Sequence, residues 1–487
     1  MKVPIAKKSV DTAILIISDL HVGAGPLDDC DDELEAQLVS FIEGVCTRAY
    51  PVELIINGDF LDFAQAPPWR GRELESVSAL GIPLCFTEEQ SVAKLRAIVK
   101  EHISIFAGLT NFLAANSQNR LVINPGNHDA DFFWPRVRAV FLKSVLGKGR
   151  ADPEQVLFNL AQVYKPDFGN TWIEHGNNYD PANQFRIDEY DPIGGSHLGR
   201  SLYWDQAKPP ILTDRTGVKR LYECLGTRFM IEFLNSLDAH YPFVDNVKPF
   251  KRFLQIFGAS AFVSGFGPLK ATLAVWRMLR YISGNAVTDP TGLLETERTE
   301  KDPAAVLLVE KIKMLSDEER FAFHQTLRDR QFNLERSALT YLQDPEMSVP
   351  LLTFLSENLD LLDAFPQDNS SYLSQENSAP DGYLTLSKRF AVDETQELIR
   401  AAQSIIRENK VEAVIMGHTH EPVRDPELAY FNTGSWTRNY DFKDRKLTSW
   451  EILKPGSQKY FPYELNYVEL SDPAEPRMET YAREEIN

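Results

Sequence analysis

Cysteine is scarce in this chain: Cys30, Cys46, Cys85 and Cys224 are the only four in 487 residues, and no two of them form a CxxC pair. Neither a zinc knuckle nor a disulfide framework is signalled, and reduced thiols in a cytoplasmic protein are expected. Also missing is any uncharged apolar run long enough to span a bilayer, so no transmembrane segment is expected. The start, Met1 to Leu20, has basic residues ahead of an apolar stretch, but that stretch is only about seven residues long and ends in Ser18-Asp19 rather than at a small-residue cleavage site. It reads as a first strand and not as a leader. Positive charge is in deficit as well: 51 Lys and Arg against 70 Asp and Glu leave a formal net charge of -19 and a pI near 5.0. A polyanion would meet general repulsion, which argues against nucleic acid as a partner unless bound cations reverse the field locally. A site holding two divalent ions is such a reversal, and it would draw in a small anionic substrate.

What is present is the composition of a soluble globular protein, 43% hydrophobic and 25% charged, in a chain long enough for more than one lobe. Thr12 to Ser18, Glu53 to Asn57, Leu121 to Asn124, Thr171 to Glu174 and Val411 to Met416 are short apolar runs of buried-strand type. Amphipathic stretches separate them: Asp31 to Tyr50, a longer one from the capping-box spacing at Thr87 through Ala115, and Asp393 to Asn409. From 181 to 392 helical periodicity dominates, including Leu212 to Leu237, Val247 to Ile282 and a stretch opened by Ser316. The tail from Tyr430 to Leu470 alternates in short pieces and reads as antiparallel strands. This pattern divides the chain into a first core part (1–180), a mainly helical insertion or cap (181–392), a second core part (393–470) and a tail (471–487).

Ligand-type residues stand at the carboxyl ends of the five strands: Asp19-Leu20-His21, Gly58-Asp59, Gly126-Asn127-His128-Asp129, His175-Gly176 and Gly417-His418-Thr419-His420. In an α/β sheet those ends converge on one rim, where ligand sites form. Carboxylates mixed with imidazoles suit first-row divalent ions, whereas an all-oxygen set would suit Mg or Ca. One shared carboxylate can hold two such ions about 3.5–4 Å apart, a spacing at which water between them is activated to attack phosphorus in line. Asp59, alone at its strand end behind a glycine, is the natural bridge.

The ordered set DLH, GDFLD, GNHD, HG and GHTH resembles the signature of the calcineurin-like metallophosphoesterases. The resemblance covers roughly the first 180 residues and the stretch from about 395 to 450. It implies a four-layer α/β sandwich of two mixed β-sheets flanked by helices, here with a large mainly helical insertion. It also implies two divalent metal ions, manganese first and Fe, Zn, Co or Ni as alternatives. Asp19, His21 and His420 would hold one ion, Asn127, His175 and His418 the other, and Asp59 would bridge them. His128 would assist the leaving group, with Asp129 orienting its ring. The implied reaction is hydrolysis of a phosphomonoester or phosphodiester by a metal-bridging hydroxide, on a small phosphate-ester substrate.

Two other readings stand beside this one: a metal-stiffened interaction module without turnover, and a metal-dependent nuclease, which the acidity disfavours. Past His175 the chain offers Arg186, Arg200 and His197 as candidate substrate-binding residues; the arginines would equally serve to offset nearby acids. The stretch 247–284, rich in Phe, Leu and Trp with interspersed basic residues, reads as the core of a helical cap, or else as a peripheral membrane or lipid contact. His102, His240 and His324 lie on predicted helices and are read as structural.

Overall fold

Apolar residues that repeat at every position of a strand, rather than every second one, have to be covered on both faces. The frame of the protein follows from that requirement. In the computed structural model the described residues are 12–68, 82, 85–167, 170–180, 182–185, 208–214, 216–224, 226–227, 230–238, 241–248, 303–358, 361, 393–440, 450–471 and 476–484. In chain order the elements used below are β1 (Ala13–Ile17), α1 (Asp32–Cys46), β2 (Val52–Asn57), α2 (Glu88–Glu101), α3 (Ile103–Ala115), β3 (Arg120–Asn124), α4 (Pro135–Val145), β4 (Val156–Phe158), β5 (Thr171–Ile173), β6 (Ile211–Thr213), β7 (Lys219–Leu221) and α5 (Asn235–Asp238). There follow α6 (Pro303–Met314), α7 (Asp317–Asp329), α8 (Ala338–Gln343), α9 (Pro345–Glu357), α10 (Glu394–Asn409), β8 (Ala413–Met416), β9 (Val423–Asp425), β10 (Tyr430–Asn432), β11 (Glu464–Leu470) and β12 (Arg477–Arg483).

The expected α/β architecture of mixed sheets flanked by helices is found. One sheet has six strands in the order β12-β11-β1-β2-β3-β4, the other four in the order β5-β8-β10-β9. β1 to β4 run parallel, while β11 and β12 add antiparallel strands at the β1 edge. In the smaller sheet β5, β8 and β10 are parallel and β9 is antiparallel. Ile14, Ile16, Ile55, Val122 and Val468 of the first sheet form one buried cluster with Ile173, Ile415 and Phe431 of the second, so the sheets pack face to face. The alternate residues Leu15 and Ile17 are equally buried on the opposite face. There α1 covers β11 and β12, where Phe41 meets Tyr467, Tyr481 and Trp436. Leu398, Ala402 and Ile405 of α10 close the outer face of the second sheet against Val414, Met416 and Tyr430.

Contacts divide the chain into two compact units, and the division differs from the expected boundary at residue 181. The first unit comprises Met1–Pro249, Val392–Asp441 and Pro455–Asn487; the second comprises Phe250–Ala391 and Phe442–Lys454. Among the described residues between 182 and 248, polar groups bond to the core, as in Asn235 Nδ2 donating to the Ala64 carbonyl at 2.9 Å. Described residues of the second unit are helical, with Leu308, Ile312, Leu327, Leu342, Leu351 and Leu355 in one buried cluster.

Two local expectations are corrected. The helix expected over Leu212 to Leu237 begins instead as the hairpin β6–β7. Asp214 Oδ1 accepts the N–H groups of Thr216 and Val218 at 2.8 and 3.0 Å, and Gly217 takes φ +85°, so turn chemistry prevails over helical periodicity. The long stretch after Thr87 is two helices, broken at His102. There the imidazole leaves the helical path to bond Glu35 at 2.7 Å and Asp28 at 2.6 Å. Burial works against its charge, but the two carboxylates outweigh it and raise its pKa to about 9. A histidine raised on folding stabilises the fold fully below its ordinary pKa of 6.5, and that stability fades as pH climbs through about 9. In urea unfolding with chelator present, the stability gap between wild type and His102→Gln is expected to shrink by about 2 kcal/mol between about pH 6 and pH 9.5. A gap that does not change with pH would contradict the assignment.

Candidate metal centre

Five of the seven candidate ligands stand two or three residues past a strand, Asp19 after β1, Asp59 after β2, Asn127 after β3, His175 after β5 and His418 after β8, while His21 and His420 stand four residues past β1 and β8. The ends of the two sheets are clasped together, since His175 Nδ1 donates to the Asn57 carbonyl at 3.0 Å and Asn57 Nδ2 donates to the Glu174 carbonyl at 2.8 Å. An amide ladder continues the clasp: Asn124 Nδ2 donates to Asn57 Oδ1 and Asn159 Nδ2 to Asn124 Oδ1, both at 2.9 Å. These asparagines were not singled out from the sequence, although each closes or follows an apolar strand.

All seven expected ligands are buried at this rim. Asp19, His21 and His420 form one group whose donor atoms lie within 4.8 Å of one another, and Asp59, His175 and His418 form a second. His21 Nε2 and His420 Nε2 face each other at 3.1 Å, and His420 Nε2 is 3.6 Å from Asp19 Oδ1. The Asp59 carboxylate lies between the groups, with Oδ2 at 3.1 Å from His175 Nε2 and 3.9 Å from His21 Nε2. Its other oxygen, Oδ1, is held by the His128 backbone N–H at 2.9 Å.

Other residues fix which atom each ligand presents. His175 uses Nδ1 on the Asn57 carbonyl, which leaves Nε2 without a hydrogen-bond partner. His418 Nε2 meets Asp180 Oδ2 at 3.1 Å, so Nδ1 is the nitrogen it can give to an ion. Asn127 Oδ1 is buried and unpartnered, while its amide nitrogen points to Asn183 Oδ1 at 3.4 Å. Asp180 was absent from the sequence-derived ligand set; its only signal was its place in the polar segment after His175.

Asp129 is corrected: it does not orient His128. Its Oδ1 accepts the Gly126 N–H at 2.6 Å and its Oδ2 the Phe60 N–H at 2.9 Å, which ties the β3 loop to the β2 loop. The residue on His128 Nδ1 is Asp62 at 2.8 Å, and the same Asp62 Oδ2 is 3.0 Å from His21 Nδ1. Asp62 is the last residue of the motif Gly58-Asp-Phe-Leu-Asp62, and its pairing with two histidines is not legible in the motif itself. Arg186, Arg200 and His197 lie outside the described residues, as does the 247–284 stretch beyond Lys248.

The electrostatics are those of carboxylates short of positive charge. Burial raises Asp19 above the usual carboxylate range. Burial also opposes the charge of Asp59, but the rings of His175 and His128 outweigh it and hold that carboxyl well below its ordinary value. In turn His175, though burial pulls it down, is pushed up to about 10 by Asp59 and Asp19. Burial, then the Lys248 charge, drive His420 the other way, far below the usual histidine value.

Backbone geometry supports the same purpose. Asp19, His21, Asp59, His418 and His420 all have φ between 44° and 73°, a region that costs a non-glycine residue about 1 kcal/mol or more. Gly58 has φ +90°, and a Cβ there would come within 2.1 Å of His175 Nδ1. A Cβ on Gly417 would come within 2.3 Å of both Asp19 Oδ2 and Ser18 Oγ.

Unpartnered Asn127 Oδ1 and His175 Nε2, two imidazole nitrogens face to face, and a mixed oxygen and nitrogen donor set all fit divalent transition-metal ions. The family model for the calcineurin-like phosphoesterases matches residues 12–265. The chain belongs to that family. No curated protein matches the sequence. The match takes in the candidate donors from Asp19 to His175, and the fold brings His418 and His420, which lie beyond the matched span, to the same rim. Among the described residues no helix is long and apolar enough to cross a membrane.

Gly417→Ala is expected to weaken manganese binding at least about tenfold in calorimetric titration while the far-ultraviolet dichroism stays that of the wild type. Unchanged affinity would show that the close approach of Asp19 to this glycine is not needed.

Proposed function

We propose that the protein is a dinuclear metal-dependent phosphoesterase that hydrolyses a small phosphomonoester or phosphodiester. The observation that carries this reading is the place of Asp59 Oδ2, one oxygen facing both His175 Nε2 and His21 Nε2. Asp19, His21 and His420 would hold the first ion, and Asn127, His175 and His418 the second, with Asp59 shared. Manganese suits the mixture of carboxylate, amide and imidazole, as do Fe, Co, Ni and Zn. When bound, the ions would supply Lewis acidity toward phosphoryl oxygens and make water at the site more acidic.

Several of the chain's own groups prepare the reaction. The N–H groups of His418 and His128 orient the carboxylates of Asp19 and Asp59, at 2.9 and 2.9 Å. Asp62 fixes the His128 ring through Nδ1, so that its Nε2 is the atom able to pass a proton to the departing alkoxide. Burial lowers the proton affinity of that ring, but Asp62 and Asp59 more than reverse this and raise its pKa to about 9. The low exposure of the whole set excludes bulk water and strengthens each of these interactions.

With manganese, purified protein is expected to hydrolyse an aryl phosphate ester, to lose activity to a chelator and to regain it when manganese returns. Asp59→Asn should lower kcat by about a thousandfold or more. Failure of wild-type protein to hydrolyse any aryl mono- or diester with any of the five metals would overturn the reading. Asp62→Asn should lower kcat about ten- to a hundredfold with metal content retained, and His128→Ala about a hundred- to a thousandfold. A larger loss from Asp129→Asn than from Asp62→Asn, at equal stability, would reverse the assignment of the orienting carboxylate.

A further inference from the structure

We infer that Asp29, Asp238 and Asp245, together with Asn235, form a subsite for an organic ammonium group carried on the leaving alcohol of the substrate, an inference that rests on the phosphoesterase reading for its link to the leaving alcohol. The short helix α5 places Asn235 and Asp238 three residues apart and so on one side. Asn235 Nδ2 donates to the Ala64 carbonyl at 2.9 Å, and the next residue, Gln65, donates from Nε2 to Asp245 Oδ2 at 2.6 Å. Asn246 Nδ2 reaches Asp29 Oδ2 at 3.4 Å. These bonds hold Asn235 and Asp245 against the loop that follows Asp62, with Asp238 one turn on from Asn235 and Asp29 tied to the residue after Asp245.

Three oxygens in this group have no hydrogen-bond partner: Asn235 Oδ1, Asp238 Oδ1 and Asp245 Oδ1. Their residues are 0%, 4% and 6% exposed. Each such orphan acceptor costs about 1–3 kcal/mol, and all three lack the same thing, a donor. Burial, and then the neighbouring carboxylates, raise the pKa values of Asp29 and Asp238, so the cluster is short of positive charge. Asp29 is half-buried, the most exposed of the four residues.

A directly coordinated metal ion does not fit. Among the described residues three groups bring acidic or imidazole donor atoms within 4.8 Å of one another, and this cluster is not one of them. The wider spacing suits an alkylammonium, whose charge is spread over a larger surface. Its place beside the leaving-group residue follows from Asp62: one carboxylate oxygen holds His128 Nδ1, and the other accepts the Gln65 N–H at 2.9 Å.

The test has two arms. In the first, aminoalkyl phosphates of two to six carbons are each compared with the alkyl phosphate in which methyl replaces ammonium. The wild type is expected to favour the ammonium member by at least about tenfold in kcat/KM at one chain length or more, and Asp238→Asn and Asp245→Asn to bring that ratio toward one. A ratio taken within one preparation does not depend on how much of a variant is folded. In the second arm, metal-depleted protein is titrated with butylammonium against butanol at constant ionic strength, followed by thermal unfolding. Stabilisation by butylammonium alone, lost in Asp245→Asn, is expected. Esters hydrolysed without preference at any length, or a preference that survives the Asp238→Asn, Asp245→Asn double variant, would overturn the subsite. If no ester is hydrolysed, the phosphoesterase reading fails separately, and the butylammonium titration alone decides whether the subsite exists.

Discussion

A carboxylate removed from water needs charge or donors around it, and at the rim of these sheets Asp19 and Asp59 are both almost wholly buried. Much of the local structure answers that need. Backbone N–H groups of His418 and His128 point at the two carboxylates, and His21, His175 and His420 surround them. Protonated rings meet part of the demand, as the elevated pKa of His175 beside Asp59 and Asp19 shows, but they do not bring Asp19 back to its usual range. A pair of divalent ions can, and this is the physical basis of the phosphoesterase reading.

Holding such a group together is costly for the backbone, and the cost falls at the same residues. Five of the candidate ligands sit in left-handed conformations that most side chains avoid. They persist because the surroundings leave them little choice: the Trp436 N–H bonds the Asp19 carbonyl at 2.9 Å, the Asp19 N–H bonds the Gly58 carbonyl at 3.1 Å, and Thr433 Oγ1 lies 2.6 Å from Ser18 Oγ. Thus the loop after β10, which carries no candidate ligand, braces the loop after β1, which carries two. The face-to-face packing of the sheets has the same function at larger scale, since it brings His418 within reach of a carboxylate 399 residues earlier in the chain.

The apolar strands and the candidate donors beyond them could be read from the sequence because strand burial and donor chemistry are local properties of residue type. Partner choice is less local. Asp129 adjoins His128 and was the natural candidate to orient it, yet its carboxylate turns back to the Gly126 and Phe60 N–H groups, and Asp62 from the preceding strand end takes the ring. The pairing depends on how two loops meet, which spacing alone does not encode. The same holds for Asp180 on His418 and for the amide ladder of Asn57, Asn124 and Asn159. In the region 212–237, helical periodicity was real but weaker than the turn set by Asp214 and Gly217, and a hairpin resulted.

The account turns on one carboxylate shared by two ions, and anomalous diffraction from crystals equilibrated with manganese tests it most directly. Two peaks about 3.5–4 Å apart are expected, with the Asp59 carboxylate between them, Asp19, His21 and His420 around one, and Asn127, His175 and His418 around the other. A single peak, or peaks that Asp59 does not join, would contradict it.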